Sequence, residues 1–424
     1  MIIRSLHLEH YRCFENFDID FDNQLTVLIG VNGAGKTATL DALSVFLRQA
    51  GHPENRYQPF DHLSSADITI GRKPEELAFC LEVQAKSNTR AGTAHIDLAY
   101  NTVTKYDGIR LMLREGIESY HQVIDNNRVL CVAYMAGRFI RDEDSILQHN
   151  VYNPSTYSAF ENNFNRTIDY ASTIAWFDNA DSDEARDMRD SGHKNEKPEL
   201  KAVREALSKA LLGQYERPRM LGNPPELVIY KKNTNIAYKV SQLSDGYRAM
   251  LALVMDLARR MAQVNRDEKL SMKSLLHTPA IVLIDEVELH LHPSWQQTVL
   301  NTLLDIFPNT QFIVTTHSPQ VLTAIPSKHI RVLSEGKSYA VDGQTQGAEA
   351  SRILEQVFEV DSRPDGLEIV RILRDYSKLV YDEKWDTPKA EGLRKRLDEH
   401  YGNDDPALLE LDLHIENSKW ERGL

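Results

Sequence analysis

Alternating apolar and polar positions open the chain and predict two strands, from Ile2 to Leu8 and near Phe17 to Phe21. A continuous apolar stretch from Leu25 to Ile29 then predicts a strand buried on both faces, which Gly30 ends. Apolar residues recur at helical spacing from Ala38 to Arg48. The chain therefore begins with predicted strands, a glycine-rich turn and one helix.

The middle of the chain changes its pattern near residue 140. Residues from about 77 to 134 alternate as strands do, whereas residues from about 140 to 215 are polar and helix-like. The helix-like region contains an acidic run from Asp178 to Asp190. We therefore predict an inserted, mainly helical lobe over residues 136–225.

A strand pattern resumes after about residue 225 and leads into a long predicted helix, from Gly246 to about Gln263. Two continuous apolar strands follow, Ala280 to Ile284 and Gln311 to Thr315, and such runs are typical of a parallel sheet buried on both faces. These strands are expected to join the strand at Leu25 to Ile29 in one central sheet.

Charged, helix-forming sequence replaces the strand pattern beyond about residue 340. Helices are predicted there at Ala348 to Phe358, Gly366 to Leu379 and Pro388 to Glu399. The chain is thus predicted to have four parts: 1–135 and 226–338 as the two halves of one lobe, 136–225 as its insertion, and 339–424 as a C-terminal helical module.

Composition limits the function classes. Hydrophobic residues make up 42% and charged residues 26%, a balance typical of a soluble protein with a sizeable core. The chain shows neither a signal peptide nor an apolar stretch of membrane-spanning length, and its three cysteines lack metal-site spacing, so a cytoplasmic protein with no membrane partner is expected. The net charge of −13 means that any contact with DNA must use a local basic patch.

The strongest chemical signal is a phosphate loop, G-x-x-x-x-G-K-[ST], from Gly30 to Thr37, placed between a buried strand and a helix. Its glycines let backbone N–H groups curl around phosphate, and the helix N-terminus adds positive potential. Lys36 is expected to reach the β and γ phosphates of a nucleotide, and the Thr37 hydroxyl to ligate Mg²⁺. The predicted nucleotide contacts here are Asn32, Gly33, Ala34, Gly35, Lys36, Thr37 and Thr39.

Two adjacent carboxylates, Asp285 and Glu286, follow the apolar strand Ala280 to Ile284. Open α/β sheets bind ligands at this edge, so Asp285 is predicted to hold Mg²⁺ through water and Glu286 to position and polarise the attacking water. The simpler alternative is an ordinary strand that ends in two solvated acids, and the phosphate loop in the same chain argues against it.

Two further segments complete the pattern. Ser244, Asp245 and Gly246 precede the long helix, where a hydroxyl and backbone amides can form a second anion site, although Ser-Asp-Gly alone is also an ordinary turn and N-cap. His317 follows the strand Gln311 to Thr315 and is predicted to contact the γ-phosphate and to act in catalysis with Glu286. A lone histidine is more often structural, and only its position after this strand favours the functional role.

Along the chain the order is phosphate loop, signature, Asp-Glu strand and His strand. In this order, the four motifs resemble those of the ABC-type ATPases, in the branch that contains RecF, Rad50 and the SMC proteins. Leu243 to Arg248 resembles the LSGGQ signature, from which Asp245 and Tyr247 depart. His10 to Phe14 is similar to the N-terminal element of RecF-like proteins, and Glu286 to Pro293 to the DEPExxLHP stretch of related ATPases, with Val287 in place of proline.

Three smaller features stay open within this resemblance. Tyr134 and Arg138 fit a YxxxR element that follows a strand in these proteins. Asp67 is the nearest candidate for the family's adenine-side loop residue. The pair His290 and His292 could suggest a metal, but two ligands alone rarely suffice, and the resemblance makes them part of the loop after the carboxylates.

The resemblance implies an α/β fold: an ABC-type P-loop ATPase with a mixed, mostly parallel central sheet, an N-terminal antiparallel β subdomain, an inserted helical lobe and a C-terminal helical module. It also implies that ATP and Mg²⁺ are the cofactors. Two copies would meet head to tail, with the phosphate loop of one facing the signature of the other. Hydrolysis by Glu286 would then release the dimer.

The tail, from Gly347 to Phe358 and then Arg363 and Pro364, resembles the ATPase subunit (PtuA) of Septu-type or retron-associated antiphage systems. That resemblance implies an HNH-type nuclease subunit as partner, with a retron reverse transcriptase and its nucleic acid, or DNA, as further partners. The tail could instead be an amphipathic cap on its own domain or on another copy. No motif of the chain itself indicates a nuclease.

Other function classes fit less well. A RecF-like repair or chromosome-maintenance ATPase that clamps DNA is the main alternative. A transporter's nucleotide-binding subunit is disfavoured by the divergent signature and the large insertion, and a simple P-loop kinase would have no use for the signature.

Overall fold

The computed structural model describes residues 1–50, 60–73, 77–86, 91–100, 108–115, 129–136, 159–160, 163–164, 168, 170–191, 196–222, 225–265, 271–402 and 404–421. They form two compact units, Met1–Ile353 and Leu354–Leu424. The second unit begins later than the predicted C-terminal module, 339–424, because the strand Lys337–Ala340 joins the central sheet of the first unit.

The described strands are, in chain order, β1 Ile2–Tyr11, β2 Phe14–Asp20, β3 Leu25–Ile29, β4 Phe60–Ser64, β5 Ala78–Lys86, β6 Ala91–Tyr100, β7 Gly108–Glu115, β8 Leu130–Tyr134, β9 Tyr215–Leu221, β10 Glu226–Lys231, β11 Ala237–Lys239, β12 Ala280–Ile284, β13 Thr310–Thr315, β14 Ile330–Ser334 and β15 Lys337–Ala340.

The described α-helices are α1 Lys36–Ala50, α2 Tyr170–Ser191, α3 Pro198–Ala210, α4 Asp245–Val264, α5 Met272–Leu276, α6 Pro293–Gln296, α7 Val299–Ile306, α8 Pro319–Leu322, α9 Ala350–Gln356, α10 Glu368–Tyr381, α11 Pro388–Tyr401 and α12 Pro406–Glu421.

The central sheet has the strand order β15-β14-β3-β13-β12-β8, with parallel pairing from β14 to β8 and β15 antiparallel at one edge. Every residue of β3, β8, β12 and β13 is buried, as expected of largely apolar strands that are covered on both faces of the sheet. The turns after β3, β12 and β13 leave the same edge of the sheet, because the carboxyl ends of parallel strands coincide. The predicted α/β fold with a mixed, mostly parallel central sheet is thereby confirmed.

A second, antiparallel sheet has the strand order β2-β1-β5-β6-β7-β4. Its strand β1 pairs with β2 on one side and β5 on the other, so that Leu6 lies opposite both Ile19 and Leu81. The buried aromatic residues Phe14 and Phe17 stack with their ring centroids 4.1 Å apart. This sheet is the predicted N-terminal antiparallel subdomain, and it packs beside the phosphate loop.

The inserted segment contributes helices α2 and α3 and strand β9, which forms a three-stranded antiparallel sheet in the order β11-β10-β9. Helix α4 follows that sheet and is buried along most of its length, including the charged side chains of Asp256, Arg259 and Arg260. The predicted helix from Gly246 to about Gln263 is therefore present as an internal rather than a surface helix.

The C-terminal unit packs α10, α11 and α12 around a small apolar core that includes Leu373, Leu397 and Leu408. Arg394 of α11 joins that helix to α12, because its guanidinium pairs with Asp398 of α11 at 2.7 Å and with Asp412 of α12 at 2.8 Å. Among the described residues of the whole chain, no helix combines the length and the apolar character that crossing a bilayer requires.

Candidate active site

The phosphate loop leaves β3 at Gly30 and enters α1 at Lys36. Glycine is required at both ends for steric reasons. A Cβ on Gly30 would lie 2.4 Å from the backbone oxygen of Leu333, and a Cβ on Gly35 would lie 2.1 Å from Cζ of Phe14. Both glycines also have positive φ angles, +148° and +98°, which side chains disfavour. The loop is thus held between β14 and the N-terminal sheet.

Lys36 is buried with 7% exposure, and its ammonium folds back over the loop. Nζ donates to the backbone oxygen of Gly30 at 2.8 Å and to that of Val31 at 3.0 Å. Burial lowers the pKa of Lys36, while the negative charges of Asp285, Glu286 and Glu288 oppose the change. The cation that is predicted to bind phosphate therefore lies among acidic side chains.

The other predicted loop contacts divide by exposure. Asn32, Gly33 and Thr37 are exposed and Ala34 is half-buried, as expected of a loop that offers its backbone to a ligand. Thr39 is fully buried, and its hydroxyl donates to the backbone oxygen of Gly35 at 3.0 Å. In this structure the Thr39 side chain therefore supports the loop from inside α1.

Thr37 and Asp285 meet directly, although they lie far apart in the sequence. The Thr37 hydroxyl donates to Oδ2 of Asp285 at 3.0 Å, and the Thr315 hydroxyl donates to Oδ1 at 2.6 Å. A hydroxyl at the end of the phosphate loop and a carboxylate beside it are ligands that Mg²⁺ accepts. The residues present therefore fit a magnesium ion held by Thr37 and Asp285.

Glu286 begins a sharp turn, with a positive φ of 49°. Its backbone N–H donates to the Thr315 hydroxyl at 2.7 Å, so Thr315 contacts both members of the Asp-Glu pair. The sequence interpretation missed Thr315, which ends β13 just before the segment that carries His317. The signal that the sequence offered for Thr315 was a hydroxyl residue at the end of a strand predicted to be buried.

His317 is exposed, and its backbone N–H donates to Oε1 of Glu288 at 2.6 Å. The backbone N–H of Val287 donates to the backbone oxygen of Thr315 at 3.0 Å. The turn after β12 is thus joined by hydrogen bonds both to the end of β13 and to the segment that follows it. Glu288 was not among the predicted site residues, and its position just after the Asp-Glu pair was the available signal.

The signature segment begins α4. Ser244 occupies the N-cap position with extended backbone, but its hydroxyl makes no capping hydrogen bond. Gly246 packs so closely that a Cβ there would lie 2.5 Å from the backbone oxygen of His290. The Tyr247 ring meets Trp295 edge-on, with ring centroids 4.4 Å apart. The signature is therefore fixed against the segment that follows the Asp-Glu pair.

The departures from the signature pattern also have contacts. Asp245 forms an ion pair with Arg248 one turn along α4. The hydrogen bond from Arg248 and its positive charge lower the pKa of Asp245. Asp245 therefore adds a negative charge beside the helix N-terminus, where the usual motif has glycine.

Tyr134 links the central sheet to α4. Its backbone oxygen accepts from the N–H of Asp285 at 2.8 Å, and its hydroxyl donates to Oδ2 of Asp256 at 2.9 Å. Arg259 and Arg260 each donate to Asp256 at 2.7 Å. Arg138, the second member of the predicted YxxxR element, lies outside the described residues. Tyr134 thus connects the Asp-Glu strand with the helix that starts at the signature.

Arg12, in the turn between β1 and β2, donates to Asp67 at 2.7 Å and to Asp41 of α1 at 2.5 Å. The Asp67 carboxylate, the candidate for an adenine-side contact, is thus engaged with Arg12.

His292 caps α6, since its Nδ1 accepts from the backbone N–H of Ser294 at 3.3 Å. The imidazole of His292 therefore has a local structural role at the start of α6.

Comparison with known proteins agrees with this geometry. Residues 25–323 match the family described as "AAA domain, putative AbiEii toxin, Type IV TA system". The chain belongs to this family. It is an ATPase of the ABC type, and nucleotide binding follows from that membership.

The relatives of this ATPase include proteins named as a retron ATPase and as a Septu protein. It is 28% identical to the "Retron Ec83 probable ATPase" of Escherichia coli, over 99% of this chain and 87% of the relative. It is 23% identical to the "Septu protein PtuA" of Bacillus mycoides, over 79% of this chain and 41% of that protein. A solved Smc head bound to the C-winged helix domain of ScpA aligns with a TM-score of 0.48 and 16% identity, over 81% of this chain and 98% of that one.

Proposed function

We propose that the chain is the ATP-hydrolysing subunit of an antiphage defence complex and that ATP binding closes two copies head to tail. The observation that carries this proposal is that one chain holds both parts of such a nucleotide site, the phosphate loop and the signature. The phosphate loop meets Asp285 through Thr37, and the signature is built separately at the start of α4. The retron and Septu names of its relatives support the defence role.

Each predicted residue has a role in this proposal. Lys36 exchanges its bonds to the loop backbone for contacts with phosphate oxygens, and the loop amides bind the same group. Thr37 and Asp285 hold Mg²⁺, which supplies charge neutralisation on the phosphates. Glu286 orients and polarises the attacking water, and His317 contacts the terminal phosphate. Ser244, Asp245 and Gly246 supply the second anion site to the partner copy.

A mass measurement tests the dimer. Glu286→Gln keeps the side-chain size but removes the carboxylate, so this variant should bind ATP and accumulate as a closed dimer, whereas wild type should dimerise transiently. Light scattering of both proteins with and without ATP measures the difference. An E286Q protein that stays monomeric with saturating ATP, or hydrolyses ATP at the wild-type rate, would contradict the proposal.

The proposed nuclease partner docks on the C-terminal unit. Helix α12 buries Leu408 and Leu411 on one face and exposes Leu409, Leu413 and Trp420 on the other, with Trp420 81% exposed. Spacings of four and seven residues place these three side chains on one stripe of the helix. An exposed apolar stripe of this kind is a feature of protein-binding surfaces. The resemblance to Septu-type ATPases makes an HNH-type nuclease subunit its expected partner.

Co-expression with the neighbouring genes tests the partner. Wild-type protein should co-purify with an HNH subunit, and with a reverse transcriptase and its nucleic acid if the system contains a retron. Leu413→Asp should abolish capture of the nuclease but spare ATP hydrolysis, while Lys419→Ala, on an exposed position of the same helix, should spare both. Capture by the L413D variant would exclude α12 as the docking surface. A chain that instead dimerises alone and clamps DNA would favour the RecF-like alternative.

A further inference from the structure

Glu288 lies in the turn after the Asp-Glu pair, and its carboxylate points to the segment that carries His317. Oε1 accepts the backbone N–H of His317 at 2.6 Å. The backbone oxygen of Glu288 also accepts the N–H of Leu291 at 2.8 Å, which fixes the turn itself. The His317 backbone is therefore held by an ionised group on a constrained turn, and hydrogen bonds to charged acceptors are the stronger kind.

The second carboxylate oxygen of Glu288 has a different environment. Oε2 is buried and has no hydrogen-bond partner in the part of the chain that the structure describes. An unsatisfied buried acceptor is costly, so the position of this oxygen calls for an explanation beyond the shape of the turn. A glutamate that served only to shape the turn would gain stability by exposing this oxygen to water.

Glu288 is also part of the acidic surroundings of Lys36. Together with Asp285 and Glu286, its charge opposes the effect of burial on the ammonium. Glu288 thus contacts the backbone of one predicted catalytic residue and acts electrostatically on the lysine that is predicted to bind phosphate. The contacts of the Asp-Glu pair with β13 run instead to Thr315.

We infer that Glu288 is a positioning residue for ATP hydrolysis, because its Oε1 fixes the backbone of His317. This inference rests on the proposed roles of Glu286 and His317. Because Glu288 acts through His317, removing it should slow turnover without weakening the binding of ATP. Loss of its negative charge near Lys36 should instead favour binding of the triphosphate.

A double-mutant cycle tests this role on the full-length protein. The variants are Glu288→Ala, Glu288→Gln, His317→Ala and the double variant E288A/H317A, with Glu335→Gln as an exposed control. E288A should lower kcat by about tenfold or more, with KM for ATP unchanged or lower. E288Q should have a smaller effect on kcat, because its amide oxygen can still accept the His317 N–H. In the H317A background, E288A should cost less than about twofold.

Additive losses in the double variant would overturn the inference, as would an E288A variant with wild-type kcat. Thermal denaturation of each variant separates positioning from folding. If E288A does not fold, E288Q decides the matter: its kcat must fall while its midpoint temperature stays at the wild-type value. Full activity in both E286Q and H317A would instead show that the proposed catalytic site itself is wrong, whatever Glu288 does.

Discussion

Thr37 and Asp285 lie 248 positions apart in the sequence and share a hydrogen bond of 3.0 Å. This contact joins the phosphate loop to the Asp-Glu strand. The hydroxyl and the carboxylate are thereby placed together for Mg²⁺, so the site needs little rearrangement to accept the metal.

Thr37→Val should remove the effect of magnesium on nucleotide binding. Valine has the same shape but no hydroxyl, whereas Thr37→Ser keeps the oxygen. We expect the Mg²⁺-dependent gain in ATP affinity to fall at least about tenfold in the valine variant, or about 1.4 kcal/mol, and to persist in the serine variant. Calorimetric titration with ATP in magnesium and in EDTA measures the gain. If the valine and serine variants both kept the wild-type gain in ATP affinity with Mg²⁺, Thr37 would not be a ligand of the metal.

Lys36→Ala should abolish nucleotide binding at ordinary concentrations. The ammonium is the cation at the loop, and we expect its loss to weaken ATP binding by about 100-fold, or about 2.8 kcal/mol. A fluorescent ATP analogue reports the affinity directly. Lys337→Ala, at an exposed position of β15, is the matched control and should bind as wild type does. Similar affinities for the two variants would contradict the assigned role.

Gly246→Ala should impair the signature without affecting the phosphate loop. Its Cβ would lie 2.5 Å from the backbone oxygen of His290, so the start of α4 has to move. We expect near-normal ATP binding to the single chain but loss of ATP-dependent dimerisation and turnover. Light scattering and a phosphate-release assay check both.

The same substitution at Gly392 is the control for that experiment. Gly392 lies inside α11, and no atom of another part of the unit comes within 4 Å of the position that a Cβ would take, so alanine fits there. Gly392→Ala should raise the free energy of unfolding of the C-terminal unit by about 0.5–1 kcal/mol and leave turnover unchanged. If both glycine variants dimerise normally with ATP, the close contact of Gly246 is not required for dimerisation.

Asp256→Asn should destabilise the first unit and change its response to acid. Burial alone would raise the pKa of Asp256, but Arg260 and Arg259 outweigh burial and hold it well below its ordinary value. Asparagine would remove the buried negative charge that Arg259 and Arg260 share, at a cost of about 3–5 kcal/mol. Because the folded pKa is depressed, the carboxylate's contribution is present above the unfolded pKa, about 3.9, and is lost as the pH falls below it.

The difference in the free energy of unfolding between wild type and D256N should therefore be constant near neutral pH and become smaller from about pH 5 towards pH 3. Chemical denaturation at several pH values measures it. Asp342→Asn, at an exposed position, should give no such difference. A gap between D256N and wild type that widened in acid would show that Asp256 is not stabilised as a carboxylate.

Much of the fold followed from local sequence patterns. The buried strands Leu25–Ile29 and Ala280–Ile284 have the bounds that their apolar runs predicted, and β13 begins one residue earlier than predicted, at Thr310. A largely apolar run that ends at a glycine or a charged residue fixes such a strand locally. The phosphate loop was predictable for the same reason, since its glycines and lysine are close together in the sequence.

The contacts that organise the site were not predictable, because they join residues distant in the sequence. Thr315 binds Asp285 across 30 positions, and Tyr134 binds Asp256 across 122. Asp256, Arg259 and Arg260 have the spacing of an exposed helical face, yet all three are buried. Sequence spacing shows that these charges can pair with one another, but it cannot show what covers them.

The close contact between Gly246 and His290 also bears on how this protein can diverge. Since the space at position 246 is closed by backbone, no change elsewhere in side-chain chemistry can make room for a larger residue there. Tyr247 instead rests on the Trp295 ring, so a substitution at one of these two positions can be balanced at the other. Homologous sequences should therefore keep glycine at position 246, while the residues at positions 247 and 295 should change together. The signature should vary at the position whose side chain has a replaceable partner and stay constant where backbone closes the space.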